Sequence, residues 1–271
     1  MRDPDARSHK QKLARPTGSQ PRQPRGRSDE RRRDDQVLLY GWHTVVAALA
    51  NPERRIRSLL ATENAQRRLV EAGLTLPLNP ELVRPDTIAA RLGPDAVHQG
   101  LLAEADPLPA RDIEELEPDG LVLVLDQITD PHNVGAILRT AAAFAARAVV
   151  TTARHTPEAT GVLAKSASGA LEHVPIVTVQ NLARGIDALR KRGFLTVGLD
   201  SDAGDELGSI SLRTPLALVL GAEGKGLRQL TRTTCDALAR LELPGAIKSL
   251  NVSNAAALAL YIATARTAAS N

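Results

Sequence analysis

A single cysteine, Cys235, stands in 271 residues, so neither an internal disulfide nor a cysteine-rich zinc site can form. That scarcity fits a reducing compartment, and the cytoplasm is the expected location. Aromatic residues make up 2%, with one Trp, two Tyr and two Phe. A reader of nucleic acid that stacks bases on Phe or Tyr platforms is short of material, so any such ligand must be held mostly through charge and backbone. Long hydrophobic runs are missing as well. The longest, Ala255 to Ala263, is well short of the roughly 20 apolar residues that span a bilayer. The N-terminus has no apolar core of a signal peptide, and early Asp3 and Asp5 argue against a transit peptide. No membrane association is expected.

What is present suffices for one large domain or two modest ones: 43% of residues are apolar and 24% charged. Net charge is only +3, but it is unevenly placed. Residues 1–35 hold 11 basic and 6 acidic side chains, leaving 23 basic against 25 acidic for the rest. This segment is built from Arg, Pro, Gln, Ser and Asp and cannot bury enough surface to offset its ordering entropy, so it reads as a disordered basic tail. A solubilising extension and an electrostatic arm for RNA both fit its composition.

From residue 36 short apolar strands alternate with helical segments. A helix follows the turn at Gly41, a strand is expected over Ile56 to Ala61, a helix capped by Asn64 runs to Ala72, and a strand follows His98. Pro, Gly and acidic residues mark 106–119 as a linker, which sets a first domain at 36–105 and a second at 120–271. In the second, Leu121 to Leu125 is a continuous apolar run, the pattern of a strand buried on both faces of a parallel sheet. Further strands are expected at 148–151, 174–179, 195–199 and 216–220, with helices at 134–145, 160–168, 181–191 and from Val252 to about Ala269. The fold class is therefore α/β with a mostly parallel sheet. Ligands in such folds bind beyond the carboxyl ends of the strands, so the loops after Leu125 and Leu220 are where chemistry belongs.

Three loops carry polar groups at strand ends: 126–141, 220–227 and 245–254. The glycine loop at 220–227 is neither a Walker loop nor a dinucleotide fingerprint. Val219 stands where the first Walker glycine belongs, Gly226 follows the lysine instead of a hydroxyl, and Gln229 occupies the third glycine position of the fingerprint. Its glycines can bring backbone close to a small ligand, with Glu223 as the charged acceptor, or simply make a strand-to-helix turn. Asp126, Asp130 and His132 suggest a metal cluster, but Asp130-Pro131 also starts a turn and caps a helix, and no partner cluster has ligand spacing, so no metal is expected. Arg139 lies among Ala136, Ile137, Leu138, Ala141 and Ala142. Such an arginine needs a partner, either a core carboxylate or a substrate phosphate. Ser168 lacks the flanking glycine of a nucleophile elbow, and Cys235 reads as a packing residue.

Taken in order, the three loops resemble the SPOUT methyltransferases of the TrmH (SpoU) branch, which methylate ribose 2′-hydroxyls in RNA. The likeness runs from Val37 to the C-terminus. Asn133-x-Gly135-x-x-x-Arg139 resembles the first motif of the family, Gly221-Ala-Glu-Gly-x-Gly226 the second, and Ser249-Leu-Asn-Val-Ser253 the third. Gly41-Trp-His43 and His98-Gln-Gly100 resemble a ribosomal-protein-like substrate-binding domain, and Lys165 to Pro175 points to the members that modify guanosine in large-subunit rRNA. The resemblance implies a trefoil-knotted C-terminal domain, S-adenosyl-L-methionine as cofactor, RNA as partner and a homodimer. It implies cofactor contacts at Gly221, Leu241 and Leu250, and catalytic roles for Arg139, Asn133, Glu223, Ser249 and Asn251. Arg139 would be either the general base or a cation anchoring phosphate and developing alkoxide. The chain departs from the family in having Leu241-Glu242, with the proline at Pro244, where relatives have Ile-Pro.

Overall fold

The computed structural model describes residues 36–93, 95–153 and 161–268. The basic tail expected over 1–35 lies outside them. The chain opens with β1 (Val37–Tyr40), α1 (Trp42–Ala50), β2 (Ile56–Ala61), α2 (Glu63–Glu71), β3 (Glu81–Leu82), α3 (Pro85–Leu92) and β4 (Leu101–Ala105). These strands make a four-stranded sheet in the order β1-β4-β2-β3. β4 is antiparallel to both β1 and β2, while β3 adds in parallel at the edge. One boundary differs from expectation. α2 begins at Glu63 and is capped by Thr62, whose hydroxyl accepts from the Ala65 amide at 3.3 Å. Thr62 leaves β2 with extended backbone, the conformation a capping residue needs, and Asn64 instead accepts from Arg67 at 2.6 Å.

Beyond Ala105 the chain joins the core of the second sheet before entering it. Arg111 bridges Val177, Ile113–Glu115 forms a 3-10 turn, and Ile113 and Leu116 are buried in that core.

The remainder comprises β5 (Leu121–Asp126), α4 (Pro131–Ala143), β6 (Ala148–Thr152), α5 (Gly161–Ala167), β7 (Ile176–Val179), α6 (Leu182–Lys191), β8 (Leu195–Leu199), β9 (Leu216–Gly221), α7 (Gln229–Thr234), β10 (Ala237–Ala239) and α8 (Val252–Ala268). Six strands form one sheet in the order β10-β8-β9-β5-β6-β7, parallel throughout. The apolar run at 121–125 is buried on both faces because side-chain direction alternates. Leu121, Leu123 and Leu125 join the core with residues of α4 and α8, while Val122 and Val124 join that with residues of α6. β9 divides in the same way, with Leu216, Leu218 and Leu220 on one side and Ala217 and Val219 on the other. Each buried leucine contributes roughly 1.5–3 kcal/mol, so the centre of this sheet is a main source of the fold's stability. Among the described residues no helix is long and apolar enough to cross a membrane.

Candidate cofactor and catalytic site

β5 and β9 are neighbours in register through Asp126 and Gly221, so the first two loops leave the sheet side by side. Asp126 is fully buried and ties them together. Its carboxylate accepts from the Arg228 backbone amide at 3.0 Å and from Arg228 Nε at 2.6 Å. Asp130 caps α4 by accepting from the His132 amide at 3.0 Å, with Pro131 at the first helical position, and His132 Nδ1 lies 3.3 Å from Ser166 Oγ. The capping alternative for Asp130 is thus the one observed. Among the described residues no group of three or more His, Cys, Asp or Glu is placed to hold a metal.

The second loop folds back on itself. Gly226 N donates to Ala222 O at 2.8 Å, which brings the returning backbone against Gly221. A Cβ on Gly221 would lie 2.1 Å from the Gly226 carbonyl carbon, so no other residue fits there. The third loop leaves β10 and returns toward the middle of the sheet. Together the loops enclose a cavity of about 400 Å³ lined by Gly221, Glu223, Leu241, Ser249 and Leu250. That size suits a small-molecule ligand.

The first loop joins from one side. Asn251 Nδ2 donates to Asn133 Oδ1 at 3.0 Å, and Asn251 Oδ1 accepts from the Ser253 amide at 2.9 Å and its hydroxyl at 2.6 Å. Both ends of the Asn251 amide are therefore engaged, which fixes the start of α8 against the start of α4. Gly135 permits the next contact, since a Cβ there would come 2.3 Å from Ser166 Cβ on α5.

Arg139 stands apart. It is exposed on α4, has no carboxylate or hydrogen-bond partner among the described residues, and is not among those lining the cavity. A core ion pair for Arg139 is thereby overturned: Val134, Ile137, Leu138 and Ala141 form the buried stripe, and residue 139 falls outside it. Of the residues singled out in the sequence, Gly221, Glu223, Leu241, Ser249 and Leu250 share the cavity, Asn133 and Asn251 pair beside it, and Arg139 does neither. Charged lining residues that were not anticipated include Asp200, Asp202, Arg232 and Lys248. Asp200 pairs with Arg232 at 3.1 Å, and Lys248 Nζ donates to Leu243 O at 2.6 Å. Asp200 directly follows β8, and its place at a strand carboxyl end was the available signal.

Comparison with known proteins bears on both parts of the chain. A family model described as the SpoU rRNA methylase family matches residues 120–261, and one described as RNA 2′-O ribose methyltransferase substrate binding matches 38–110. A curated relative from Pseudomonas putida, named 23S rRNA (guanosine-2′-O-)-methyltransferase RlmB, is 39% identical over 82% of this chain and 94% of its own. Another of that name from Ralstonia nicotianae is 39% identical over 83% of this chain and 93% of its own. The crystal structure of the SpoU methyltransferase AviRb from Streptomyces viridochromogenes in complex with the cofactor AdoMet superposes with a TM-score of 0.72 at 25% identity, covering 89% of this chain and 94% of that one.

Proposed function

We infer the function from one premise: the chain belongs to the SpoU rRNA methylase family. It is an S-adenosylmethionine-dependent RNA methyltransferase that transfers a methyl group to a ribose 2′-hydroxyl, with a guanosine of 23S rRNA as its target and the cytoplasm as its place of work. One observation carries this conclusion. Three loops far apart in sequence converge on a single small cavity, two as its walls and the first through the Asn133–Asn251 hydrogen bond.

The cavity suits the cofactor on its own chemistry. Leu220, Leu241 and Leu250 offer apolar wall for an adenine, while Gly221, with no side chain, lets the returning Gly226 backbone close the loop beside them. Gly221, Leu241 and Leu250 are the proposed cofactor contacts. S-adenosylmethionine, when bound, supplies a methyl group activated on sulfonium. The protein's own task is then to align the acceptor oxygen and dispose of its proton. Asn133, Ser249 and Asn251 are assigned to positioning the ribose, and Glu223 adds a negative charge from the second loop. Arg139 is assigned the role of a cation that anchors phosphate and stabilises the developing alkoxide, since a guanidinium stays protonated in proteins and no carboxylate among the described residues neutralises it.

The same proposal assigns 36–105 to substrate binding, 106–119 to the connection and 120–271 to catalysis. It includes the trefoil knot, supported by the return of the chain from the edge strand β10 to the central loops. It also includes a homodimer built on α8. Tyr261 there is 63% exposed, and Leu258, Ile262 and Ala265 continue an apolar face beside it. A site shared between two copies accounts for an Arg139 that lies outside the cavity of its own chain. The test is transfer of labelled methyl from S-adenosylmethionine to unmodified 23S rRNA, leaving one position resistant to alkaline cleavage. Arg139→Ala should lower transfer by at least about 10²-fold while cofactor still raises the melting temperature. Absence of transfer by the unaltered protein refutes the enzymatic assignment; full activity in the variant refutes the role given to Arg139.

A further inference from the structure

A second concavity, of about 780 Å³, opens at the end of the four-stranded sheet between the turn after β2, the segment leading into α3 and the loop before β4. Arg68, Arg84, His98 and Gln99 line it, with the exposed Leu82 at its side. Residues 36–105 contain seven arginines and no lysine, which makes their pairing informative. Five have a carboxylate within 4 Å: Arg54 meets Glu172, Arg55 and Arg57 meet Asp106, Arg67 meets Glu71, and Arg91 meets Glu104. Arg68 and Arg84 have none among the described residues, and both line this cleft. Glu63 is the one carboxylate on the lining.

The only tryptophan of the chain, Trp42, lies behind two of the lining residues, Arg68 and Gln99. Arg68 lays its guanidinium carbon 3.9 Å from the centroid of the Trp42 ring, and Trp42 is half-buried at the start of α1. The Trp42 backbone amide donates to Gln99 Oε1 at 2.8 Å. Gln99 itself has a φ of 54°, a left-handed conformation that a non-glycine residue adopts at some cost. The loop is thus held in an unfavourable backbone state while the Gln99 side chain ties it to the main chain at the start of α1. An indole with a planar cation on it, a second unneutralised guanidinium and exposed apolar surface match the chemistry of a nucleotide: π-face, phosphate and sugar edge.

We propose that this cleft binds an unpaired nucleotide of the RNA substrate, its base on the Arg68 guanidinium that covers Trp42 and its phosphate on Arg84. This rests on RNA being the substrate, as inferred above. It assigns the first module a specific reading site for single-stranded RNA, since a base still paired and stacked in a duplex presents no free face.

Trp42 makes the test direct, because its emission reports ligand in this cleft and not RNA held elsewhere on the chain. The full-length protein is titrated with a short oligoadenylate and with the same strand annealed to oligouridylate. Saturable quenching by the single strand, with at least about tenfold weaker quenching by the duplex, is the expected result. The double variant Arg68→Gln, Arg84→Gln should weaken that quenching about tenfold or more, while Arg91→Gln, whose partner Glu104 lies outside the cleft, leaves it unchanged. Equal quenching by duplex, no quenching by either strand, or an unaltered titration in the double variant overturns the proposal. Methyl transfer to 23S rRNA is measured on the same preparations. Transfer without oligoadenylate quenching refutes the cleft alone, whereas quenching without transfer refutes the enzymatic assignment and leaves the cleft standing.

Discussion

Glu172→Gln isolates a buried ionic contact between the two modules. Glu172 and Arg54 form an ion pair with side chains only 2% and 4% exposed. Arg54 Nη2 donates to Glu172 Oε1 at 2.6 Å, Arg54 Nε reaches both carboxylate oxygens at 3.1 and 3.2 Å, and Asn51 Nδ2 donates to Oε2 at 2.7 Å. A glutamine of nearly the same volume opens no cavity but brings one acceptor oxygen where two were used, and leaves the guanidinium without its counter-charge. Breaking a buried pair in this way costs about 3–5 kcal/mol. With a urea slope of about 3 kcal/mol per molar, the midpoint should fall by about 1 M or more. Trp42 emission follows the first module, and far-ultraviolet ellipticity follows the whole chain. Replacing both partners, Arg54→Met with Glu172→Leu, removes the stranded charge and should restore the midpoint to within about 0.3 M of the original, or about 1 kcal/mol of stability. A single variant that shifts the midpoint by less than about 0.3 M, or a double variant as unstable as the single one, refutes the reasoning.

Gly221→Ala places a Cβ 2.1 Å from a backbone carbonyl carbon, so the second loop must open; cofactor-dependent thermal stabilisation should vanish, and its survival would show that the loop yields without harm to the cavity. Burial, with Asp236 and Asp126 nearby, pushes the Cys235 thiol up to about 12, against the smaller opposing effect of Arg190. Thiolate at pH 8 is then roughly 10⁻⁴ of the total, and iodoacetamide should label the folded protein orders of magnitude more slowly than the urea-unfolded chain, equal rates being the refuting result. Burial raises the Asp236 carboxyl, but hydrogen bonds from Thr196 and Arg190 outweigh it and hold the group below its ordinary value of 3.8. A depressed carboxylate stabilises the fold above that value and loses its contribution as pH falls through the folded one. The stability difference between the native chain and Asp236→Asn should therefore shrink on acidification; a difference independent of pH excludes it.

Legibility in the sequence tracked burial. β5 and β9 were readable as strands because two covered faces leave no room for polar residues, and β2 was found with its observed ends, Ile56 and Ala61. β3 and β10 were not, being two and three residues long, and both residues of β3 are exposed. α3 carried usable punctuation, with Pro85 at its start and Gly93 at its end. The order β10-β8-β9-β5-β6-β7 depends on which strands become neighbours in space, and a pattern read along the chain does not contain it.

The site divides along the same line. Gly221 and Gly135 were found through the motifs the chain resembles, and the structure supplies the reason for them, a close approach that leaves no room for a Cβ. Partners were a different matter. Asp126 was weighed as a metal ligand beside Asp130 and His132 and set aside, but its partner was not legible: Arg228, 102 positions away, takes its charge. For Arg139, apolar chain neighbours left a core ion pair open beside a substrate phosphate. Counting by helical turns gives another answer, since the stripe through Val134, Ile137, Leu138 and Ala141 turns residue 139 outward. Local composition thus measures how apolar a segment is, and periodicity decides which way each side chain faces. The two disagree at Arg139, where an outward cation with no carboxylate beside it among the described residues sits on a helix packed against the apolar α8. A core ion pair would have neutralised that charge within the chain. Without one, it remains available to a polyanion, and the proposed methyl acceptor is a polyanion.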